Sequence, residues 1–186
     1  MNTKEKHPVF TTDRLILRPW QQEDAPWLYS LAQDPEIGPL CGWNPHKSED
    51  ESRQVIDILR QPGTWCVTLR DTGEILGAIS LFWQSCWQRN DGSRERELGF
   101  WIGRRYWGKG YIPEAAEVLL EEAFRQGTDR VWCGHLDLNR NSARVQEKLG
   151  FQYVLTCPGT NPFYPAARDV VNVLTKEEWE SRKQQA

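Results

Sequence analysis

The 186-residue chain contains no apolar run near the roughly 18 residues that a membrane-spanning helix requires. No hydrophobic segment follows the opening Met-Asn-Thr-Lys-Glu-Lys-His-Pro, so no secretory signal is read there. The five cysteines (Cys41, Cys66, Cys86, Cys133, Cys157) are odd in number and form no Cys-x-x-Cys pair. That argues against a disulfide framework and suits reduced thiols in a cytoplasmic protein. The histidines His7, His46 and His135 show no metal-ligand spacing with those cysteines, so no metal is expected. A basic excess is also missing: 23 Lys and Arg against 26 Asp and Glu leave a formal charge of −3. This argues against a nucleic-acid partner, which would want a basic face, yet leaves room for a local basic site for an anionic ligand. Internal repeats and interdomain linkers are absent, and nothing in the sequence decides between a monomer and a homodimer.

What is present describes an ordinary folded globule. Apolar types make up 39% of the chain and charged types 26%, a balance that supports a core. A chain of this length buries about 70% of its unfolded surface, so the core needs no covalent staple. Ten Trp outnumber five Tyr and six Phe. Indole buries much area but carries an N–H that wants a partner, which places some of the ten at a cleft.

The pattern predicts seven strands and four principal helices, with a fifth at the end. Arg14 to Arg18 reads as a strand stopped by Pro19. Glu23-Asp24-Ala25-Pro26 opens a helix with Trp27, Leu28 and Leu31 as its buried face, ended by Asp34-Pro35. Residues 35–47 are a Pro- and Gly-rich loop. Ser48 with Glu51 forms a capping-box pattern before Val55, Ile56 and Leu59. Residues 64–70 and 74–83 read as a hairpin around Asp71-Thr72-Gly73, followed by a polar loop at 84–94 and a strand at 95–102. Residues 112–126 form the longest helix, with Ala115, Ala116, Leu119, Leu120, Ala123 and Phe124 on one face. A strand at 130–138, a helix at 142–149 closed by Gly150, and strands at 151–156 and 169–174 follow. Thr175-x-x-Glu178 caps a last helix. The expected fold is one α/β (α+β) domain over residues 9–180 with a mixed six- to seven-stranded sheet flanked by helices, and with tails at 1–8 and 181–186.

The segment that carries chemistry is Arg105-Tyr106-Trp107-Gly108-Lys109-Gly110, between a strand end and a helix start. Two glycines let a ligand approach the backbone closely, with N–H groups turned inward, and the helix adds the positive end of its dipole. Arg104, Arg105 and Lys109 supply full charge. Taken together these features describe a phosphate cradle. It is not a mononucleotide P-loop, which needs a Gly-Lys-Ser/Thr ending, nor a dinucleotide fingerprint, which needs a third glycine.

In context this loop resembles the pyrophosphate loop of the GNAT acetyltransferase superfamily. Thr11-Thr12-Asp13-Arg14-Leu15-Ile16-Leu17-Arg18-Pro19, Glu97-Leu98-Gly99-Phe100-Trp101-Ile102, Tyr106 to Tyr111, and Asn139-Arg140-Asn141-Ser142 with Lys148-Leu149-Gly150-Phe151 are similar to segments of its RimJ/RimL-type branch, ribosomal-protein N-terminal acetyltransferases. They occur in the family's order over residues 9 to about 180. The resemblance implies acetyl-CoA in a gap where the family's fourth and fifth strands, here 95–102 and 130–138, splay apart. It implies that backbone near Phe100, Trp101 and Ile102 pairs with the pantetheine arm. Arg105 and the amides of Trp107, Gly108, Lys109, Gly110 and Tyr111 would hold the pyrophosphate, Asn139 would face the pantetheine or the thioester end, and Lys148 would reach the outer phosphates. Among Asn139, Asn141 and Ser142 one residue is expected to cap a helix, and Asn141 is the first choice. A solvated helix face is the alternative for Lys148.

The implied reaction is direct acetyl transfer from acetyl-CoA to a primary amine, a peptide N-terminus or a small molecule. Ser142 is the candidate acid by family position and Glu97 the candidate base. Glu97 could instead pair with Arg94 or Arg96. His135, on one strand face with Cys133 and Asp137, is a third catalytic candidate because it titrates near neutral pH. Cys133 reads most simply as a small buried hydrophobe. The amine would enter between residues 35–47, 84–94 and 157–167, which carry Trp43, His46, Trp87, Phe163 and Tyr164. A CoA-binding sensor or scaffold of the same fold, and an unrelated nucleotide-binding domain, are the alternatives.

Overall fold

The computed structural model describes residues 8–83, 87 and 91–184. His7, Cys86, most of the expected tail at 1–8, and residues 84–86 and 88–90 of the expected polar loop lie outside the described residues, as do 185 and 186. Eight strands form one sheet: β1 (Phe10–Thr11), β2 (Leu15–Arg18), β3 (Thr64–Leu69), β4 (Ile75–Phe82), β5 (Glu95–Ile102), β6 (Arg130–Leu136), β7 (Gln152–Pro158) and β8 (Arg168–Thr175). Their spatial order is β1-β2-β3-β4-β5-β6-β8-β7. Eight strands replace the six to seven expected. The additional β1 is two residues long, too short to show a period of two. It pairs Phe10 with Leu17 and Thr11 with Ile16, across a turn in which Thr12 N–H donates to the Leu15 carbonyl at 2.9 Å.

Five helices flank the sheet: α1 (Ala25–Ala32), α2 (Glu49–Leu59), α3 (Tyr111–Arg125), α4 (Arg140–Leu149) and α5 (Lys176–Gln184). Among the described residues no helix is long and apolar enough to cross a membrane. α1 buries Ala25, Leu28, Leu31 and Ala32, a stripe at three- and four-residue spacing. Trp27 falls off that stripe and is 49% exposed, not buried as its apolar character suggested. Ser48 Oγ accepts from Glu51 N–H at 3.1 Å, while the Glu51 carboxylate reaches past the expected box to Lys47 N–H at 2.6 Å. Thr175 and Glu178 complete their box reciprocally, at 2.8 and 3.2 Å. The cap of α4 is Asn139, whose Oδ1 accepts from Ser142 N–H at 3.1 Å. This corrects the choice of Asn141, because the helix starts at Arg140 and not at Ser142.

Every strand pair in the sheet is antiparallel except β5 with β6. A parallel pair needs a long crossover, and α3 with its preceding loop supplies it. The crossover leaves the glycine-containing loop and the start of α3 at the carboxyl ends of β5 and β6, the end of a parallel pair at which ligands gather.

Candidate active site

β5 and β6 pair only at Glu95 with Arg130, Arg96 with Val131 and Glu97 with Trp132. Beyond that point they separate. β5 stays bonded to β4 as far as Ile102, and β6 stays bonded to β8 as far as Leu136. The expected splay is therefore present, and it turns the β6-facing backbone edge of residues 98–102 toward open space. A cleft of about 340 Å³ opens there, within the size range of small-molecule sites. Phe100, Trp101 and Ile102 line its strand side.

The loop after β5 forms the next wall, with Trp107, Gly108, Gly110 and Tyr111 lining the cleft. Gly108 and Gly110 have φ of +75° and +78°, values that L side chains rarely adopt, and a Cβ at Gly108 would meet nothing within 4 Å. Among the described residues the amides of 108 to 112 donate to no backbone or side-chain acceptor. Five consecutive free N–H groups at a helix start form an anion cradle. Pro113 is the third residue of α3, a position where its missing donor costs nothing.

The cradle is braced from outside. Arg14 Nη1 donates to the Lys109 carbonyl at 3.1 Å, and its Nε donates to Glu114 Oε2 at 2.6 Å. Glu114, in the first turn of α3, also accepts from Arg14 N–H at 2.9 Å and from Thr12 Oγ1 at 2.5 Å. Burial works to raise the Glu114 carboxyl, but these donors outweigh it and hold the group below its ordinary value. The other end of the loop is tied down by Tyr106, whose hydroxyl donates to Glu74 at 2.6 Å. Burial first, then that bond, pushes the phenol up to about 12. Trp107 Nε1 donates to the Ile102 carbonyl at 2.9 Å.

The cationic side chains of the loop do not line the cleft. Arg104 pairs with Asp34 at 3.1 Å and Glu36 at 2.5 Å, and Arg105 with Glu74 at 2.9 Å. The Lys109 ammonium lies 5.7 Å from the centre of the Tyr106 ring. Side-chain charge at the cleft comes from α4 instead, where Lys148 and Arg144 line it together with the carboxylate of Glu147. Sequence reading missed Arg144. It also missed Arg14 as a brace, although Arg14 lies in a segment that carried the resemblance.

Asn139 and Ser142 line the cleft at the start of α4. Since Asn139 Oδ1 is held by Ser142 N–H, its remaining polar group is the amide NH₂. Glu97 occupies the last paired position of the fork, opposite Trp132. Strand alternation puts it on the face that carries Glu95 and Trp101. Arg96 is turned to the other face, with its guanidinium 3.5 Å from the Trp83 ring centre. Glu97 and His135 are both outside the cleft lining. Burial lowers His135 below its ordinary value, against Gln146, Asp137 and Glu147, which act to raise it. Burial raises the Cys133 thiol, and the nearby Glu97 charge adds to that, as suits a small core residue.

Two of the three loops expected around the acceptor meet. Asn161 Nδ2 donates to the Pro39 carbonyl at 2.8 Å, and its Oδ1 accepts from Phe163 and Tyr164 N–H at 2.8 and 3.2 Å. Ile37, Leu40 and Cys41 from the first loop line the cleft. Trp43 stands edge-on to Trp101 with ring centres 5.7 Å apart. From the third loop, Trp87 lies so close to β6 that a Cβ at Gly134 would come within 2.5 Å of its ring.

A sequence model described as the acetyltransferase (GNAT) domain matches residues 14–152. The chain is 27% identical over 190 residues to the FsC-acetyl coenzyme A-N(2)-transacetylase of Aspergillus fumigatus, covering 95% of this chain and 80% of that protein. It is 28% identical over 141 residues to p20, an uncharacterized N-acetyltransferase of Bacillus licheniformis, covering 73% of this chain and 71% of the relative. The fold superposes on the crystal structure of a GNAT-family acetyltransferase from Bacillus anthracis with a TM-score of 0.78 at 19% identity, over 91% of this chain and 99% of the other.

Proposed function

The chain belongs to the acetyltransferase (GNAT) domain family, so it is an acyltransferase that draws on acetyl-CoA, and we propose that its acceptor is a primary amine acetylated by direct transfer in a ternary complex. The observation that carries this reading is the row of free amides at 108–112 standing at the mouth of the β5–β6 fork. The cradle suits a diphosphate, and the exposed strand edge suits an extended amide-bearing arm. In this reading the backbone of Phe100 to Ile102 binds the pantetheine and the free amides of Gly108 to Ile112 bind the pyrophosphate; the Trp107 N–H, expected to join them, instead donates to the Arg104 carbonyl at 3.1 Å. The Asn139 amide faces the thioester end, and Lys148 with Arg144 meets the outer phosphates. Arg105 and Lys109 act through the loop they belong to.

The amine must lose a proton before it attacks, because a lysine-like ammonium has a pKa near ~10.4. Glu97 takes that proton, through water, from the crotch of the fork. Backbone N–H groups at the splay stabilise the tetrahedral oxyanion. The C–S electron pair then leaves on sulfur, and the Ser142 hydroxyl gives that sulfur its hydrogen. His135, held neutral by burial, lies beside this path on β6. The Aspergillus relative is named for transfer to an N(2) position, which supports a nitrogen acceptor here. The RimJ/RimL-type resemblance favours a peptide N-terminus over a small amine, in a protein acting in the cytoplasm as a monomer or homodimer.

The test is a thermal melt with acetyl-CoA and with ATP as control, followed by an amine screen read as thiol release. A ligand at ~100 times its Kd adds about 2.7 kcal/mol to the folded state, worth several degrees in a domain of this size at roughly 2–4 °C per kcal/mol. A shift with acetyl-CoA, little with ATP, and thiol release that depends on an amine is the expected result. Slow thioester hydrolysis that no amine accelerates would instead indicate a sensor or scaffold. An equal shift with ATP would remove the cradle assignment.

A further inference from the structure

Gln146 lies one helical turn beyond Ser142, on the face of α4 that packs against the sheet. It is 0% exposed, in a position where an aliphatic side chain would be ordinary. A buried amide is costly unless its groups are bonded, and here they are. Its Oε1 accepts from Asn172 Nδ2 at 2.6 Å, and its Nε2 donates to Ser142 Oγ at 3.2 Å and to the Gly134 carbonyl at 3.4 Å. Asn172, on β8, is itself buried and stands opposite Cys133 in the sheet register.

The direction of these bonds is fixed. The Gly134 carbonyl can only accept, so the Gln146 group that faces both it and Ser142 must be the NH₂. The Asn172 NH₂ then faces the Gln146 oxygen. One lone pair of Ser142 Oγ is thereby occupied by a donor, and the hydroxyl's own hydrogen is left for the cleft that Ser142 lines.

We propose that Gln146, backed by Asn172, is a positioning residue that holds the Ser142 hydroxyl as a hydrogen donor toward the leaving sulfur of the coenzyme. This rests on the reading of Ser142 as the group that supplies that hydrogen. As the thioester C–S bond breaks its electron pair passes to sulfur, the hydroxyl hydrogen follows, and the proton released by the attacking nitrogen refills the serine oxygen through solvent. An alcohol is a weaker acid than a thiol, so the transfer gains from a second effect. The Gln146 N–H bond stabilises negative charge as it builds on the serine oxygen.

The test compares kcat and KM for acetyl-CoA in Gln146→Glu, Asn172→Asp, Ser142→Ala and wild type, from pH 6.5 to 9. Gln146→Glu keeps the length and the acceptor for Asn172. Its ionised form has no hydrogen to donate and draws the Ser142 hydrogen away from the cleft, while its protonated form can still donate. Burial raises a carboxyl toward this pH range. The titratable groups facing Gln146 are both on β6: His135, held below its ordinary 6.5 with Asp137 and Glu147 acting on it from further out, and Cys133, held above 9.0. Gln146 already acts to raise His135, and a carboxylate in its place strengthens that effect, so the series is repeated with His135→Gln to separate titration of the histidine from that of the new carboxyl.

The expected result is a kcat ratio of Gln146→Glu to wild type that falls roughly tenfold or more as pH rises, the scale of a general-acid contribution, with KM for acetyl-CoA little changed. Asn172→Asp, which can accept from the Gln146 NH₂ and turn its oxygen toward Ser142, loses rate in the same sense. Combining Gln146→Glu with Ser142→Ala adds nothing to the loss from Ser142→Ala alone. A loss in Gln146→Glu that is flat with pH, or no loss in either amide variant while Ser142→Ala is slow, overturns the positioning role and leaves the reading of Ser142 intact. Wild-type rates in Ser142→Ala overturn that reading, and the positioning role with it.

Discussion

The two sides of the β5–β6 fork are built by different means. On one side a single stretch, residues 103–112, runs from strand to helix and offers its own backbone: two glycines in the left-handed region and five free amides. On the other side three segments far apart in sequence come together through side chains. Trp43 meets Trp101, Asn161 reaches Pro39, and Trp87 covers Gly134. Backbone recognition reads a feature that every molecule of acetyl-CoA carries. Side-chain recognition by loops can be re-lined without disturbing the strands beneath. In the proposed reading, the cofactor is thus written into one short motif, whereas the acceptor depends on how distant loops meet.

The largest expected effect strikes the contiguous side. Gly110→Asp adds a carboxylate beside the amides proposed to hold the pyrophosphate, and a like-charge contact costs several kcal/mol. A loss of about 100-fold or more in acetyl-CoA affinity is expected by calorimetry. The residue sits at φ +78° and a Cβ there would stand 3.7 Å from Arg14 Nη2, so Gly110→Ala controls for backbone strain. Equal losses in the two variants would mean that conformation, not charge, governs the cradle. Unchanged affinity in Gly110→Asp would remove the cradle from this loop.

Next is Glu97→Gln at the crotch, where the two sides join. A general base contributes about 10²- to 10⁴-fold, so kcat should fall by at least the lower figure while acetyl-CoA affinity stays near wild type. The rise of rate with pH should also change its midpoint. The same pH profile in the variant would shift attention to His135, whose neutral ring already suits a base.

Arg14→Ala sharpens the contrast from outside the cleft. It removes the bond to the Lys109 carbonyl and leaves Glu114 without its ion-pair partner. The arginine side chain is 47% exposed, so its pairing is screened and the stability loss should be near 1 kcal/mol or less. A loosened cradle should still weaken acetyl-CoA binding several-fold. Affinity unchanged alongside a lower melting temperature would make Arg14 a prop for β1 and β2 and nothing more.

These residues also show what sequence reading can reach. The strand, the glycine-punctuated loop and the amphipathic helix were legible from their patterns, and the fork beside them was implied by the family resemblance. Glu97 was legible as a carboxylate on that strand. β1 was not, since two residues carry no period and its existence depends on the turn at Thr12. Asn139 and Asn141 are chemically alike, and only the backbone at the start of α4 decides which one caps. Arg144 and Gln146 read alike as polar helix residues. Their different roles come from helical phase against β6 and β8, a tertiary fact. The aromatic residues of the acceptor loops were visible as residues, but the joining of residues 35–47 to residues 157–167 by Asn161 had no local signal at all.

The smallest expected effect lies on the assembled side, at His46. Its ring is 9% exposed, accepts or donates at 2.8 Å to Ser52 Oγ, and stands 5.4 Å from Trp43, while its N–H anchors the loop to the Ala32 carbonyl at 3.0 Å. Burial lowers its pKa, with Glu51 acting weakly the other way. A histidine kept neutral by the fold binds fewer protons folded than unfolded. Its contribution is therefore complete above the unfolded value near ~6.5 and is lost as pH falls through the lower folded value. His135 acts with the same sign. The carboxylates held low, such as Glu114 and Glu122, lose their contributions only below the ordinary carboxylate range near ~4. Melting temperature between pH 7 and 5 should accordingly fall in wild type and fall less in His46→Gln. KM for the amine should rise in that variant while acetyl-CoA affinity holds, because the histidine props Trp43 and not the cradle. Cofactor affinity that falls together with amine affinity would break the division between the two sides, since it would show that the loop at 35–47 shapes the glycine cradle as well as the acceptor's entrance.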